Sequence, residues 1–157
     1  MMKTSFLLLC AVAFTAFAAV GAAAQNSRAA VSAGEVNGTY RMNFQGKYKK
    51  ESNEIKLLAL GKGKIRVGME LMYPFMVQGE MSANLGQLDG QASIAADTAI
   101  YQSTEFGPCT ITIKFVRPGT IKVTQDGSDA DCGFGHNVMA GGTYRKISGA
   151  KPKFEEQ

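Results

Sequence analysis

The sequence predicts an all-β fold of about eight short antiparallel strands, arranged as a small lipocalin-like barrel or as a sandwich, with one disulfide. Three observations support this prediction. Apolar residues alternate with polar ones over several short stretches, turn residues separate these stretches, and no stretch has the period of an amphipathic helix. The chain has 157 residues, 45% of them hydrophobic and 19% charged, a composition that suits one globular domain.

The first residues resemble an export signal. Lys3 gives a basic start, an apolar run follows over 6–20, and alanines at 22–24 offer a cleavage site. A transmembrane anchor is the alternative, but the run is short and small residues follow it. Cys10 lies inside the run after a large apolar residue, which argues against a lipid anchor. Residues 1–24 are therefore predicted to be a signal peptide, and the mature chain is expected to be secreted or periplasmic and not membrane-spanning.

The mature chain is predicted to be mildly basic. Removal of the signal removes the positive charge of Lys3 and no negative charge, so the net charge falls from +4 to +3. Most basic residues occupy outward strand positions or turns, where solvation explains them. Attraction to anionic envelope surfaces stays open. Nucleic acid is not expected as a partner, because an exported chain without an aromatic and basic motif lacks the usual determinants.

The domain is predicted to span 38–148. Residues 25–37 before it are small and polar and are predicted to form a flexible lead-in. The first two strands, near 38–44 and 55–59, are separated by a charged loop, and a glycine hairpin at 61–63 follows.

The third strand has the clearest alternation, over 64–73. Pro74 is expected to end it, because proline cannot donate to a central ladder. Two further strands are predicted within 83–102, where Gly86 and Gly90 are expected to mark bends or close approaches of the backbone.

The last part of the domain is predicted to contain a hairpin, a glycine-rich loop and a closing strand. Residues 109–115 alternate, and 117–119 supply an Arg-Pro-Gly turn. The last strand is predicted over 143–147, and the polar tail 149–157 is expected to be loose.

The tetrapeptide Gly-Thr-Tyr-Arg occurs twice, at 38–41 and 142–145, on the first and last predicted strands. If these two strands pair, the sheet closes into a barrel without edges. Coincidence is the alternative.

Two cysteines, Cys109 and Cys132, remain after signal removal, and an even pair in an exported chain predicts a disulfide. A metal–thiolate pair is the alternative, but the two residues lack the close spacing of zinc ligands.

Catalysis is not expected. His136, the single histidine, would need Asp129 or Asp131 and a nucleophile beside it, and no Gly-x-Ser-x-Gly motif supplies that nucleophile. The chain is therefore predicted not to be an enzyme. The non-catalytic alternative for His136 is a hydrogen-bonded loop residue.

No metal or other cofactor is expected. The aspartates at 126, 129 and 131 lack the spacing of a calcium-binding EF-hand loop and fit turn chemistry better. Thioether ligation of monovalent copper could use Met69, Met72, Met76 and Met81, but packing explains these residues at least as well.

Two segments are candidates for partner binding. The first follows the third strand and is unusually apolar; the fold either covers it or leaves it as an exposed patch. The second is the glycine loop around 132–137. The candidate contact residues are Met72, Tyr73, Pro74, Phe75, Met76, Phe134 and His136.

Four motifs together resemble a module of uncharacterised exported bacterial proteins. They are CTITIKF at 109–115, VTQ at 123–125, DCGFGHNV at 131–138 and GTYRK at 142–146. The resemblance covers about 83–147. In some such proteins the module adjoins a lysozyme-inhibitor-type domain, which is absent here. The resemblance implies an extracytoplasmic bacterial β domain without established catalytic residues. An inhibitor-like role would need a protruding loop. The charge of the chain argues against lysozyme as the target, because a basic protein gains no electrostatic steering toward basic lysozymes.

Two functional hypotheses follow. The first is a non-enzymatic binding module for a secreted or envelope protein. The second is a lipocalin-like carrier of a small apolar ligand. Inward-facing Tyr40, Phe44, Tyr73 and Tyr101 around an empty volume would favour the carrier, and a filled core would argue against it.

Overall fold

The computed structural model describes residues 30–154. The predicted signal peptide 1–24, the start of the lead-in at 25–29 and the end of the tail at 155–157 lie outside the described residues. The elements are α1 (Ala33–Val36), β1 (Gly38–Asn43), η1 (Gly46–Tyr48), β2 (Ser52–Gly61), β3 (Lys64–Val77), β4 (Glu80–Ala95), β5 (Thr98–Ser103), β6 (Cys109–Arg117), β7 (Thr120–Asp126) and β8 (Gly142–Ser148).

The eight strands form one closed antiparallel barrel in which each strand pairs with its neighbours in the chain and β8 pairs with β1. The all-β prediction is confirmed, and of its two alternatives the barrel is correct. β1 and β8, the strands that carry the two Gly-Thr-Tyr-Arg segments, are paired, with Tyr40 opposite Lys146 and Arg41 opposite Arg145. Their pairing closes the sheet.

Side chains from all eight strands fill the interior because each strand alternates inward apolar residues with outward polar ones. The buried inward residues of the strands include Tyr40, Ile55, Leu57, Ile65, Val67, Met69, Leu71, Ala92, Ala99, Ile111, Ile113, Phe115, Ile121, Val123 and Tyr144. The barrel is therefore a packed core.

Segment α1 covers one end of the barrel. Ser32 and Glu35 form a capping box at its start, and Val36 is buried against the interior. Lys146 Nζ donates to the carbonyl oxygens of Gly34, Glu35 and Asn37 at 2.7–3.0 Å. Burial lowers the pKa of Lys146, and the nearby Glu35 carboxylate opposes this shift. The helix lies in the predicted lead-in, where only the Ser-x-x-Glu spacing signals it.

The loop between β7 and β8, residues 127–141, covers the other end. The disulfide Cys109–Cys132, with an S–S distance of 2.07 Å, joins this loop to the start of β6 and confirms the predicted bond. Phe134, Val138 and Ala140 of the loop are buried. Both ends of the packed barrel are therefore closed by chain segments.

The described part of the tail follows the outside of the barrel. In the segment predicted to be loose, the Phe154 ring lies 4.3 Å from the Arg66 guanidinium and above Gly68. A Cβ at Gly68 would lie 3.0 Å from this ring, so the glycine leaves room for it.

The strand-ending role predicted for Pro74 is wrong. β3 continues to Val77, and Pro74 lies opposite Ala83 of β4. The paired ladder with β2 ends at the Glu54–Glu70 pair, so Pro74 lies on a free edge where a missing N–H breaks no ladder.

The glycines of β4 behave as predicted. A side chain at Gly90 would collide with the ring of Tyr101, and one at Gly86 would collide with Phe134 and Val138. Both glycines are sites of close approach.

Candidate functional site

The hairpin of β3 and β4 extends past the closed part of the barrel. These strands contain 14 and 16 residues. On one side the ladder with β2 ends at the Glu54–Glu70 pair, and on the other β4 pairs with β5 only over 93–95. We call residues 71–85 the arm.

One face of the arm is apolar along its length. Leu71 continues the buried inward row of β3, so the even-numbered residues of β3 face outwards. The outward residues and their direct partners on β4 are Met72 and Leu85, Pro74 and Ala83, and Met76 and Met81; we call these six the arm face. Leu85 is 61% exposed, Met81 47% and Met76 41%, whereas Pro74 is buried. Three successive apolar pairs thus line this face, with Leu85 exposed at one end, Met76 and Met81 exposed at the other, and Pro74 buried between them.

The free edge of β3 offers few groups to an added strand. The Asn53 side-chain oxygen accepts a hydrogen bond from the Met72 amide at 2.8 Å, so this amide points away from β4. Backbone groups two residues apart point to the same side of a strand, and there Pro74 has no N–H. Strand addition at this edge is therefore disfavoured.

A groove of about 410 Å³ adjoins the arm face at Met72 and Leu85. Its charged lining residues are Lys50, Glu51, Glu54 and Glu70. An acidic groove thus borders an apolar patch, although the chain as a whole carries a net positive charge.

Two of these acids are direct neighbours across the β2–β3 ladder. Glu54 lies opposite Glu70, a pairing of like charges that disfavours folding. Arg41 forms an ion pair with Glu54, and Lys56 forms one with Glu70 at 2.5 Å. These pairs reduce the repulsion, while Glu70 keeps 58% of its side chain exposed. A cation from a partner would relieve the remaining repulsion.

The 127–141 loop is held by its aspartates as well as by its disulfide. Asp129 accepts hydrogen bonds from the amides of Asn137 and Ala130, which lower the pKa of Asp129. Asp131 accepts from the hydroxyl and the amide of Ser128, and both bonds lower the pKa of Asp131. Turn chemistry thus accounts for these two carboxylates.

This loop contacts the arm through β4. The Gly135 amide donates to the Leu85 carbonyl oxygen at 2.9 Å, and the Asn84 side chain donates to the His136 carbonyl oxygen at 2.7 Å. Phe134 packs over Gly86. The two candidate segments, distant in sequence, therefore lie together at one end of the barrel.

The predicted contact residues differ in accessibility. Tyr73, Met76 and His136 are exposed, Met72 and Phe75 are half-buried, and Pro74 and Phe134 are buried. Tyr73 and Phe75 point to the inner side of the arm, where they pair with polar Asn84 and Ser82. That side is mixed, so the arm face is the more apolar of the two surfaces.

Sequence reasoning missed the β4 half of the arm face. Ala83 and Leu85 were not among the predicted contacts, and Met81 was considered only as a copper ligand. In β4 Gly86 holds the inward position, and Leu85 points out. The signal was the odd-numbered apolar series 81, 83 and 85, which becomes meaningful once the register is known.

The same end of the barrel carries the single histidine and the disulfide-bonded Cys132. The Nδ1 of His136 lies 3.7 Å from Asp129 Oδ2, and the His136 side chain is 82% exposed. Cys132 is engaged in the disulfide. Within residues 30–154, no three His, Cys, Asp or Glu side chains are grouped to hold a metal ion.

The arrangement named for a carrier is absent from the described barrel. Tyr40 is buried in the packed core, Tyr101 packs over Gly90, and Tyr73 lies on the arm with its side chain exposed. These tyrosines do not surround a shared cavity. The carrier function itself stays a hypothesis.

Comparison of the chain with protein-family models, with curated proteins and with solved structures gives no match. The resemblance to an exported bacterial module stays a prediction. Between residues 30 and 154, no helix combines the length and the hydropathy needed to cross a membrane.

Proposed function

We propose that the protein is an exported, non-enzymatic binding module whose arm face docks onto a secreted or cell-envelope protein. The observation that carries the proposal is the run of three apolar pairs on the outward face of the arm. Solvent-exposed apolar residues clustered in this way are typical of protein contact sites.

The charge of the groove beside the arm face indicates which side chains the partner presents. Its acids Glu51, Glu54 and Glu70 favour a partner that presents a Lys or Arg side chain next to apolar residues. The apolar pairs would supply most of the binding free energy, and the carboxylates would raise the association rate and set its salt dependence.

The test compares two double variants. Met76→Ser combined with Met81→Ser removes the outermost apolar pair of the arm face. Ile100→Ser combined with Val116→Ser removes two apolar side chains elsewhere, and Ile100 is 42% exposed against 41% for Met76. The amount of partner that copurifies with the exported protein from its native producer is measured for each.

The arm variant is expected to retain about tenfold less partner than the control variant, because loss of a contact worth about 1.4 kcal/mol changes affinity tenfold. Circular dichroism and the thermal midpoint verify that both variants are folded. Equal retention by the two variants contradicts the proposal. Recovery of a second copy of this chain alone would assign the face to self-association and would contradict it as well.

A further inference from the structure

A second cavity lies at the opposite end of the barrel, between α1 and the turns that follow β2 and β4. We call it the end cleft; its volume is about 450 Å³, within the range of about 300–1,000 Å³ that small-molecule sites occupy. Val31 and Val36 form one wall, and Ile65 and Ile94 form another. The cleft lies on the outer side of core residues Val36 and Ile65, far along the strands from the arm.

Hydrogen bonds fix the residues around α1 to the barrel on both sides of the end cleft. The Val31 amide donates to the Ala96 carbonyl oxygen at 3.1 Å, and the Ala59 amide donates to the Asn37 side chain at 2.7 Å. Lys146 anchors the carbonyl groups of α1 to the barrel. A site fixed in this way requires little reorganisation when a ligand enters.

Among the described residues, the lining has one charged residue. The described lining residues are alanine, valine, leucine, isoleucine and glycine, except for Lys64 at the rim. Lys64 is exposed, and no carboxylate among residues 30–154 lies within ion-pairing distance of it. An apolar trough with a single ammonium group complements a molecule with an alkyl chain and one anionic head group.

We propose that the end cleft binds a free, unbranched alkyl carboxylate of about eight to ten carbons, a size that a site of this volume accommodates. The alkyl chain lies along Val31, Leu60 and Ile94, with Val36 and Ile65 beneath it, and the carboxylate pairs with Lys64. This proposal rests on a different part of the molecule from the arm, so its failure leaves the proposed protein-binding function unaffected.

The test is calorimetric titration of the processed, exported protein with decanoate below its micelle concentration. Decanoate is expected to bind at one site, and each methylene removed on going to octanoate should weaken binding about fourfold. Lys64→Gln should weaken decanoate binding about two- to fivefold and leave decanol binding unchanged. Lys114→Gln, on the outside of β6, is the matched charge control and should change neither.

Ala33→Leu, which places a larger side chain in the wall of the end cleft, should abolish decanoate binding while the protein remains folded. Saturable decanoate binding that survives Ala33→Leu would place the ligand elsewhere and overturn the proposal. Equal affinity for decyltrimethylammonium and decanoate would also overturn it. Binding to anionic phospholipid vesicles without binding of free decanoate would assign the site to a lipid head group and overturn the choice of a free ligand.

Discussion

Tyr40 and Tyr144 hold equivalent positions in the two Gly-Thr-Tyr-Arg segments and fix opposite ends of the barrel. The Tyr40 hydroxyl donates to the Glu35 carbonyl oxygen at 2.5 Å, with that of Val36 at 3.2 Å, and the Tyr144 hydroxyl donates to the Ala140 carbonyl oxygen at 2.9 Å. The first hydroxyl holds α1 and the second holds the 127–141 loop. The repeated tetrapeptide is therefore used twice for the same local purpose.

Alkaline pH should destabilise the protein through these phenols. Burial raises the pKa of Tyr144 from its ordinary value of 10.0 to about 12, and burial also raises the pKa of Tyr40. Because the folded state retains the proton that the unfolded state loses, the stabilisation is complete below pH 10 and is lost as pH rises toward 12. For Tyr144 the loss is about 3 kcal/mol. The lowered pKa of Lys146 acts in the opposite direction.

Urea unfolding at a series of pH values measures this effect. Tyr144→Phe removes one of the two phenols, so the free energy of unfolding should fall less steeply between pH 10 and 12 in the variant. An unchanged slope would show that Tyr144 does not carry the dependence. At neutral pH the variant should lose about 1 kcal/mol from the missing hydrogen bond.

Gly86 is the residue on which the loop and the arm meet. A Cβ there would lie 2.8 Å from Val138 and 2.9 Å from Phe134, both of which are buried. Gly86→Ala should therefore lower the free energy of unfolding by about 1–3 kcal/mol, as overpacking of cores does. Gly34→Ala is the control, because its nearest neighbour would lie 3.9 Å away, and it should be neutral or slightly stabilising in α1. Similar losses in the two variants would refute this account of Gly86.

The free edge of β3 in the arm lacks some of the backbone donors that an added strand would need. Pro74 and the Asn53 side chain remove two donors from the edge of β3. Pro74→Val should restore one donor on that edge and raise the self-association constant, measured by analytical ultracentrifugation over a range of concentrations. Ala83→Val adds apolar volume to the same face without adding a donor and should leave the association constant unchanged. Equal association in both variants would assign the effect to hydrophobicity instead of backbone pairing.

Most strands could be predicted because their period-two pattern is a direct consequence of one face being buried. The inward Ile111, Ile113 and Phe115 were identified in this way and are buried. The extent of β3 could not be predicted, because the rule for Pro74 depends on whether a neighbouring strand is present, and that is set by tertiary structure.

Only the β3 half of the candidate site could be predicted from the sequence, because the β4 half depends on how the two strands pair. The apolar run at 72–77 is visible in the sequence, but its partners on β4 depend on the register of the β3–β4 ladder. Leu85 illustrates this, because Gly86 takes the inward position beside it and has no side chain to mark that face in the sequence.

For the whole molecule, the disulfide Cys109–Cys132 joins the loop at one end of the barrel to the sheet. Its two cysteines are 23 residues apart, and closure of a loop of this length in the unfolded chain corresponds to about 3 kcal/mol. The double variant Cys109→Ala, Cys132→Ala should lose about this much stability in urea unfolding. A loss below about 0.5 kcal/mol would mean that the loop is held by its other contacts.

The arm face projects from the closed barrel, and we propose that it contacts a protein partner. Photo-cross-linking in the native producer tests it most directly, with a benzophenone amino acid placed at Met76 or, as the control of equal exposure, at Ile100. The proposed function predicts a discrete adduct with a second protein from position 76 and none from position 100. The same adducts from both positions, or none from position 76, would contradict the claim.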